Sequence, residues 1–399
     1  MLTPPEDARP GWPPELMNND PQGFAWGVWR DRTPRLVAQI RDGRPYGPAQ
    51  RRALDDLLTE ISSGVIRPLG AHAHDQETWS SWGAGYFGMP WLDAPFLWSE
   101  SYFYRRLLDA VGFFEPGPWR WVDLFDDLKA AELSDPGLQP DLAALDDLLR
   151  LPLGEQGAAK LLASLWGNRA DLGFRIGRSP QSPEREPARL VADDSADLWA
   201  GLGPGASVVI ATDNAGRELL ADLVLIDHLL QHGHASAITL HVKPCPYYVS
   251  DATTADVLAC LRRLASTPGS AAAIARRVHA AMAEGRLGLY THEFYCAPWT
   301  YRRMPADLAS QFERASLTIF KGDLHYRRLV GDRDWPAATP FADVASYFPG
   351  PVAVLRTLKS DVITGLSPAV AADLDATGQS WRTDGSHGLL QVRLQPAKP

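Results

Sequence analysis

From Gln50 to Ile61 (QRRALDDLLTEI) apolar residues recur at three- and four-residue intervals, and the same spacing returns over Ser99–Val111 and Asp141–Leu149. That period gathers the apolar side chains on one helical face, so the chain up to about Leu165 is predicted to be mainly helical. Beyond about Ala188 the pattern changes to short β-branched runs separated by helical stretches: SVVIAT (Ser207–Thr212), AITLHV (Ala237–Val242), LGLYT (Leu287–Thr291), LTIF (Leu317–Phe320) and VAVL (Val352–Leu355). Such alternation predicts a doubly wound α/β/α sandwich. The first of these strands leads into a helical pattern over Leu219–Leu230 that ends near Gly233. Between the two regions RIGRSPQSPEREP (Arg175–Pro187) is polar and proline-rich, the composition of a loop. The expected division is an amino-terminal, mainly helical domain over residues 1–175 and an α/β/α domain over residues 188–399.

Composition narrows the classes. A chain of 399 residues with 45% hydrophobic and 22% charged residues is that of a globular protein with a sizeable core. A formal net charge of -9 argues against a surface that grips nucleic acid through phosphate neutralisation. The three cysteines, Cys245, Cys260 and Cys296, are odd in number and lack C-x-x-C spacing, which points away from a disulfide framework or thiolate zinc site and towards a reducing compartment. The opening MLTPPEDARPGWPPE offers acidic residues and prolines where a signal peptide needs basic and apolar ones. No stretch approaches the ~20 apolar residues of a membrane span, so the expectation is a soluble, cytoplasmic protein with no membrane or nucleic-acid partner.

In open α/β sheets the carboxyl ends of the strands border the ligand crevice. After the five predicted strands come, in turn, Asp213-Asn214; Lys243 and then Ser250-Asp251; His292-Glu293; Lys321-Gly322-Asp323; and Arg356-Thr357 with Lys359. Asp213, Asn214 and Asp251 supply oxygen ligands from adjacent strand ends, a sparse set suited to a hard divalent cation, magnesium or manganese, that keeps positions for water and substrate. An Asp-Asn pair before a helix also serves as an N-cap. Lys321, Arg327, Arg356 and Lys359 can bind an anionic group, although such residues commonly lie on solvated faces. Metal ligands and anion clamps together suggest phosphoryl chemistry. No G-x-G-x-x-G follows the first strand and no G-x-x-x-x-G-K-[ST] occurs, which disfavours dinucleotide enzymes and P-loop NTPases. An aspartyl-phosphate enzyme would want a carboxylate at position 215, which is Ala215. HAHD (His72–Asp75) reads as a surface loop, and the aromatic stretch Trp79–Trp98 as packing.

LWGNRADLGF (Leu165–Phe174), TDNAGRELLADLVLIDHLL (Thr212–Leu230), VSDAT (Val249–Thr253), FKGDLHYRRLVGDRDW (Phe320–Trp335) and LRTLKSDV (Leu355–Val362) carry a resemblance. In order and content they resemble the metal-dependent damage-control phosphatases, in the subfamily marked by an R-T-x-K motif and related to the acidic-residue methyltransferase-like proteins. PWLDAPFLWSESYFYRRLL (Pro90–Leu108) is similar to that subfamily's helical amino-terminal region. The resemblance implies a helical domain packed on an α/β/α domain, with the metal at Asp213, Asn214 and Asp251. It implies substrate contacts from Asp323, Leu324, His325, Tyr326 and Arg327, the R-T-x-K lysine at Lys359, and pocket positions at Glu218 and Asn168. Two departures stand out: His325, where the family pattern has asparagine, and Gly385–Gly388 (GSHG), where it has a lysine-containing turn.

The expected activity is hydrolysis of a small phosphorylated metabolite, a sugar phosphate first, with manganese or magnesium, or else cobalt or nickel, as cofactor. Lys359 and Lys321 are expected to neutralise phosphate charge and Asp323 to orient the water or the leaving group. Arg327 and His325 are expected to hold substrate, Arg356 to add a further cation, and Glu100 and Arg105 to close the pocket from the helical side. The rivals are an S-adenosylmethionine-dependent carboxyl methyltransferase, disfavoured by the lack of a glycine-rich loop after the first strand, and a metal- or sugar-phosphate-binding protein without turnover.

Overall fold

The computed structural model describes residues 11–167 and 189–394. Within them the sequence periods are realised as helices at Pro48–Ser63, Phe96–Val111 and Arg217–Gln231. The apolar pattern over Asp141–Leu149 becomes two short helices, Leu138–Ala143 and Leu145–Leu148, broken at Ala144. Proline at the first turn of Pro48–Ser63 needs no amide donor there, and Gly112, at φ 79°, ends Phe96–Val111 in a left-handed turn.

Seven strands form one sheet: β1 (Arg189–Asp193), β2 (Ser207–Ala211), β3 (Ala237–Val242), β4 (Leu287–Thr291), β5 (Leu317–Lys321), β6 (Val352–Thr357) and β7 (His387–Arg393). Their order is β1-β7-β6-β5-β2-β3-β4. From β4 to β6 neighbours are parallel, β7 runs antiparallel to β6, and β1 pairs parallel with β7. Five strands are thus those predicted; β1 and β7 extend one edge.

Alternation along the central strands divides the side chains between two cores. Val208, Ile210, Leu317, Ile319, Ala353 and Leu355 pack with the helices Leu153–Trp166, Arg217–Gln231, Thr254–Ala265 and Ser270–Ala283. Val209, Ala211, Phe320, Val352 and Val354 pack on the other face with Ala306–Arg314, Gly322–Val330 and Phe341–Val344. The α/β/α sandwich is therefore present. A third core, rich in rings such as Trp29, Trp79, Trp91, Trp98 and Tyr102, joins the amino-terminal helices, so most of the aromatic stretch is indeed packing. No helix among the described residues is long and apolar enough to cross a membrane.

One buried cation in this frame has no carboxylate partner among the described residues. Lys160 is 1% exposed, and its Nζ lies 3.3 Å from Gln156 Oε1 and 3.2 Å from His228 Nδ1. Burial pushes its ammonium down to about 8, against the pull of Asp227. The unfolded chain therefore binds this proton better than the fold does, so the cost is full below pH ~8 and fades as pH rises towards the unfolded value. Lys160→Met is expected to raise stability in urea at pH 7, with the gain shrinking by pH 10. A variant less stable than the parent at pH 7 would contradict this.

Candidate active site

In this strand order β2 leads to β3 and β4 on one side, while β5 and β6 lie on the other. The switch point between β2 and β5 is where an open α/β sheet leaves a crevice. Asp213 and Asn214 follow β2, Gly322 and Asp323 follow β5, and Leu165, Glu218, Thr357 and Lys359 complete a narrow cleft with Asp213 and Asp323. Gly322 sits at φ 83° with its backbone against Asp213, and a Cβ there would collide with the Asp213 carboxylate. Only glycine fits both the conformation and the approach.

Asp213 and Asp251 are brought together by backbone pairing. Asn214 bridges Asp251 in antiparallel fashion, the Ala215 amide donates to Ser250 O (2.7 Å), and the Ala252 amide donates to Asp213 O (2.8 Å). The loop delivering Asp251 passes through Tyr248 and Val249, at φ 44° and 69°. A left-handed valine costs on the order of 1–3 kcal/mol. Packing holds it: the Tyr247 hydroxyl donates to Ser101 O, and the Tyr248 hydroxyl lies 2.8 Å from Ser101 Oγ. The helix Phe96–Val111 thereby fixes the loop.

The electrostatics of this corner are dominated by carboxylates. Burial, then Glu218 and Asp251, push the Asp213 carboxyl well above its ordinary range, against the pull of Lys359 and Lys321. Burial also raises Asp251, with Lys243 opposing. Lys243 Nζ forms an ion pair with Asp251 Oδ2 (3.1 Å) and donates to Tyr295 O (2.9 Å). The Asn214 amide donates to Asp213 Oδ2 (2.7 Å) and Glu218 Oε2 (2.9 Å), while its oxygen accepts from Ser250 Oγ. Among the described residues no three His, Cys, Asp or Glu side chains gather closely enough to hold a metal by themselves. What the corner offers is two buried carboxylates and an amide, hard oxygens whose crowding at Asp213 outweighs the pull of the nearby lysines, a donor set that fits a magnesium- or manganese-like cation.

Lys359 is the half-buried cation of the cleft. The other cations are spent inwards. Lys321 is 1% exposed and donates to Ser164 O (2.6 Å), Asp222 Oδ1 (2.8 Å) and Glu218 Oε1 (3.0 Å). All three of its protons are taken, so it neutralises carboxylates and has none to offer a phosphate. Arg356 is fully buried and donates to Asp323 Oδ1 (2.8 Å), Ser360 Oγ (2.9 Å) and the carbonyls of Ser360 and Val362. Arg327 forks onto Asp332 (2.7 and 2.9 Å) and reaches Glu100 Oε2 (3.0 Å). Burial raises Asp323, but Arg356 and Arg327 outweigh it and hold the carboxylate below its ordinary range. Asp323 is therefore a fixed, ionised acceptor in the cleft.

The remaining predicted positions divide. Glu218 lines the cleft and touches both Asn214 and Lys321. His325 accepts from the Tyr301 hydroxyl (2.6 Å) and donates to Thr212 O (3.0 Å). Burial, with Lys243 and Arg328 nearby, pushes it well below its ordinary range, so it is a neutral core histidine bracing the end of β2. Tyr326 bonds Thr364 inside the core. Glu100, raised by burial, stays with Arg327. Arg105 is drawn away to Asp75 (2.8 and 2.6 Å) and lines a separate aromatic pocket with Trp79 and Cys245. Asn168 lies outside the described residues. The divergent turn packs directly on the R-T-x-K loop: the Gly385 amide donates to Leu358 O (3.0 Å) and the Leu358 amide to His387 O (2.9 Å).

Two contributors escaped the sequence reading. Asp222, one turn beyond Glu218, shares Lys321, and its signal is an E-x-x-x-D spacing in an otherwise apolar helix. Ser164 binds both Lys321 and Asp222 from the Leu153–Trp166 helix, with no signal in the sequence around it.

Residues 28–374 match the model of the damage-control phosphatase ARMT1-like domain. The chain is 30% identical over 435 residues to mouse damage-control phosphatase ARMT1, covering 95% of this chain and 98% of that protein. It is 29% identical to the zebrafish protein of the same name, covering 95% and 97%, and 28% identical to the human one, covering 95% and 98%. Among solved structures, a DUF89 family protein from Pyrococcus horikoshii aligns over 88% of this chain and 93% of its own, at 15% identity and a TM-score of 0.45. The chain belongs to the damage-control phosphatase ARMT1-like family.

Proposed function

We propose that the protein is a metal-dependent phosphomonoester hydrolase of small phosphorylated metabolites, sugar phosphates foremost. The observation that carries this reading is the buried carboxylate of Asp213, crowded by Glu218 and by Asp251 from the adjacent strand end, in a cleft that also holds Lys359. Asp213, Asn214 and Asp251 would hold the divalent cation. Such a cation, when bound, polarises a phosphoryl oxygen and lowers the pKa of a water. Lys359 neutralises phosphate charge within the cleft. Asp323, kept ionised by Arg356, accepts a proton-bearing group, the attacking water or a leaving hydroxyl. Glu218 and Asp222 with Lys321 form the buried base on which Asn214 rests, and His325 fixes Thr212 next to Asp213. Sorting the cations by their partners leaves Lys359 to meet the substrate.

A charge-assisted hydrogen bond to phosphate is worth about 1.5–3 kcal/mol. Lys359→Ala is therefore expected to lower kcat/KM for a sugar phosphate roughly tenfold to a few hundredfold without loss of metal. Phosphate release from a panel of sugar phosphates tests this; kcat/KM within about twofold of the parent retires the clamp.

A further inference from the structure

The cleft around Asp213 is narrow, and the body of a substrate needs other space. The space lies alongside, in a cleft of about 760 Å³ between the amino-terminal segment and the chain after Pro368–Ala376. Its floor touches both site loops, through Val249, two residues before Asp251, and Asp361, two residues after Lys359. The Phe24 amide donates to Asp361 Oδ2 (3.0 Å), which seats the amino-terminal wall on the R-T-x-K loop.

That wall carries Arg32 and Arg35. Val28–Arg32 is a π-helical turn running into the Thr33–Gly43 helix, and residues three apart there share a face. Both guanidinium groups are exposed to the cleft, and neither forms an ion pair among the described residues. The carboxylates on the floor and the facing wall are engaged: Asp361 accepts the Phe24 amide, and Asp375 accepts from Trp381 Nε1 (3.0 Å) and Arg382 (3.3 Å). Asp31 lines the same cleft as the two arginines. The charge of Arg32 also reaches Tyr104 and the buried Glu100, and that of Asp251 reaches Tyr104 as well, so this wall and the metal corner share one electrostatic neighbourhood. Two exposed guanidinium forks without an ion pair among the described residues, in a chain of net charge -9, mark a place for an anion.

We infer that Arg32 and Arg35 recognise a second anionic group, a carboxylate or another phosphate, at the end of the substrate remote from the phosphate that is cleaved. This rests on the phosphatase reading of the Asp213 corner. The preferred substrates would then be sugar-acid phosphates or bisphosphates over sugar monophosphates with a neutral far end.

The test compares a hexose 6-phosphate, the corresponding hexonate 6-phosphate and a hexose 1,6-bisphosphate on the full chain with manganese, reading phosphate release and the rise in Tm on adding each compound. The parent should favour at least one doubly anionic compound by about tenfold or more in kcat/KM, and show the larger Tm rise with it. In R32Q/R35Q that ratio should fall about tenfold, with R32K/R35K restoring part of it. The hexonate and bisphosphate arms tell which anion is read. Equal treatment of neutral and anionic far ends by the parent, or a preference untouched by R32Q/R35Q, overturns the inference. If no compound is hydrolysed while the Arg-dependent Tm preference persists, the phosphatase reading fails and the anion site stands. If no compound is hydrolysed and none shifts Tm, both fall.

Discussion

Asp213→Ala is expected to lower phosphate release by about 10²–10³ or more while leaving the metal-free protein at least as stable as its parent. The two expectations have one cause. Asp213 is held among Glu218 and Asp251 in a confined cleft, which pushes its carboxyl well above the ordinary range. Removing it relieves like-charge crowding and leaves no buried cation without a partner. It also takes away one of the few hard oxygens that a divalent ion could use. Stability is given up for function at such positions. The check is kcat/KM with manganese alongside Tm in chelator. Retained activity, or a large loss of Tm in chelator, would contradict the assignment.

Lys321→Met is expected to act the other way, on the fold first. Its ammonium is the shared partner of Glu218, Asp222 and Ser164 O, all of them buried. Breaking a buried pair by removing one partner costs about 3–5 kcal/mol, because the remaining charges stay out of water. Two carboxylates left together place the loss towards the upper end. Combining Lys321→Met with Asp222→Asn should recover part of it, since one orphaned charge is removed. Urea denaturation of the three proteins measures this. A Lys321→Met protein of parental stability but poor kcat would return Lys321 to the phosphate.

These two residues show how far the chain is legible. The strands β2 to β6 were readable because each is a short apolar run flanked by helical periods. β1 and β7 were not: β1 is a half-exposed edge strand flanked by charges, and β7 opens with His387 and Gly388 and carries Gln391 and Arg393. The helix expected over Asp141–Leu149 breaks because its turns pack into the sheet's core as two pieces. At the site, strand-end logic located Asp213, Asn214, Asp251, Asp323 and Lys359 together because topology alone places such residues along one edge. It could not sort the cations. Lys321, Arg356 and Arg327 are the same residue types as Lys359, and only the folded surroundings show that their donors are already taken. His325 illustrates the same point, since a substrate-facing role and a neutral core role look alike until Tyr301 and Thr212 are seen on its two nitrogens.

The central claim, that this corner works through a bound divalent cation, is tested most directly by one measurement: phosphate release from a hexose phosphate by chelator-treated protein, before and after manganese is returned. Metal-free protein should release no phosphate above background, recover on adding manganese, and fail to recover in Asp251→Ala. Undiminished release by a demonstrably metal-free protein would contradict it.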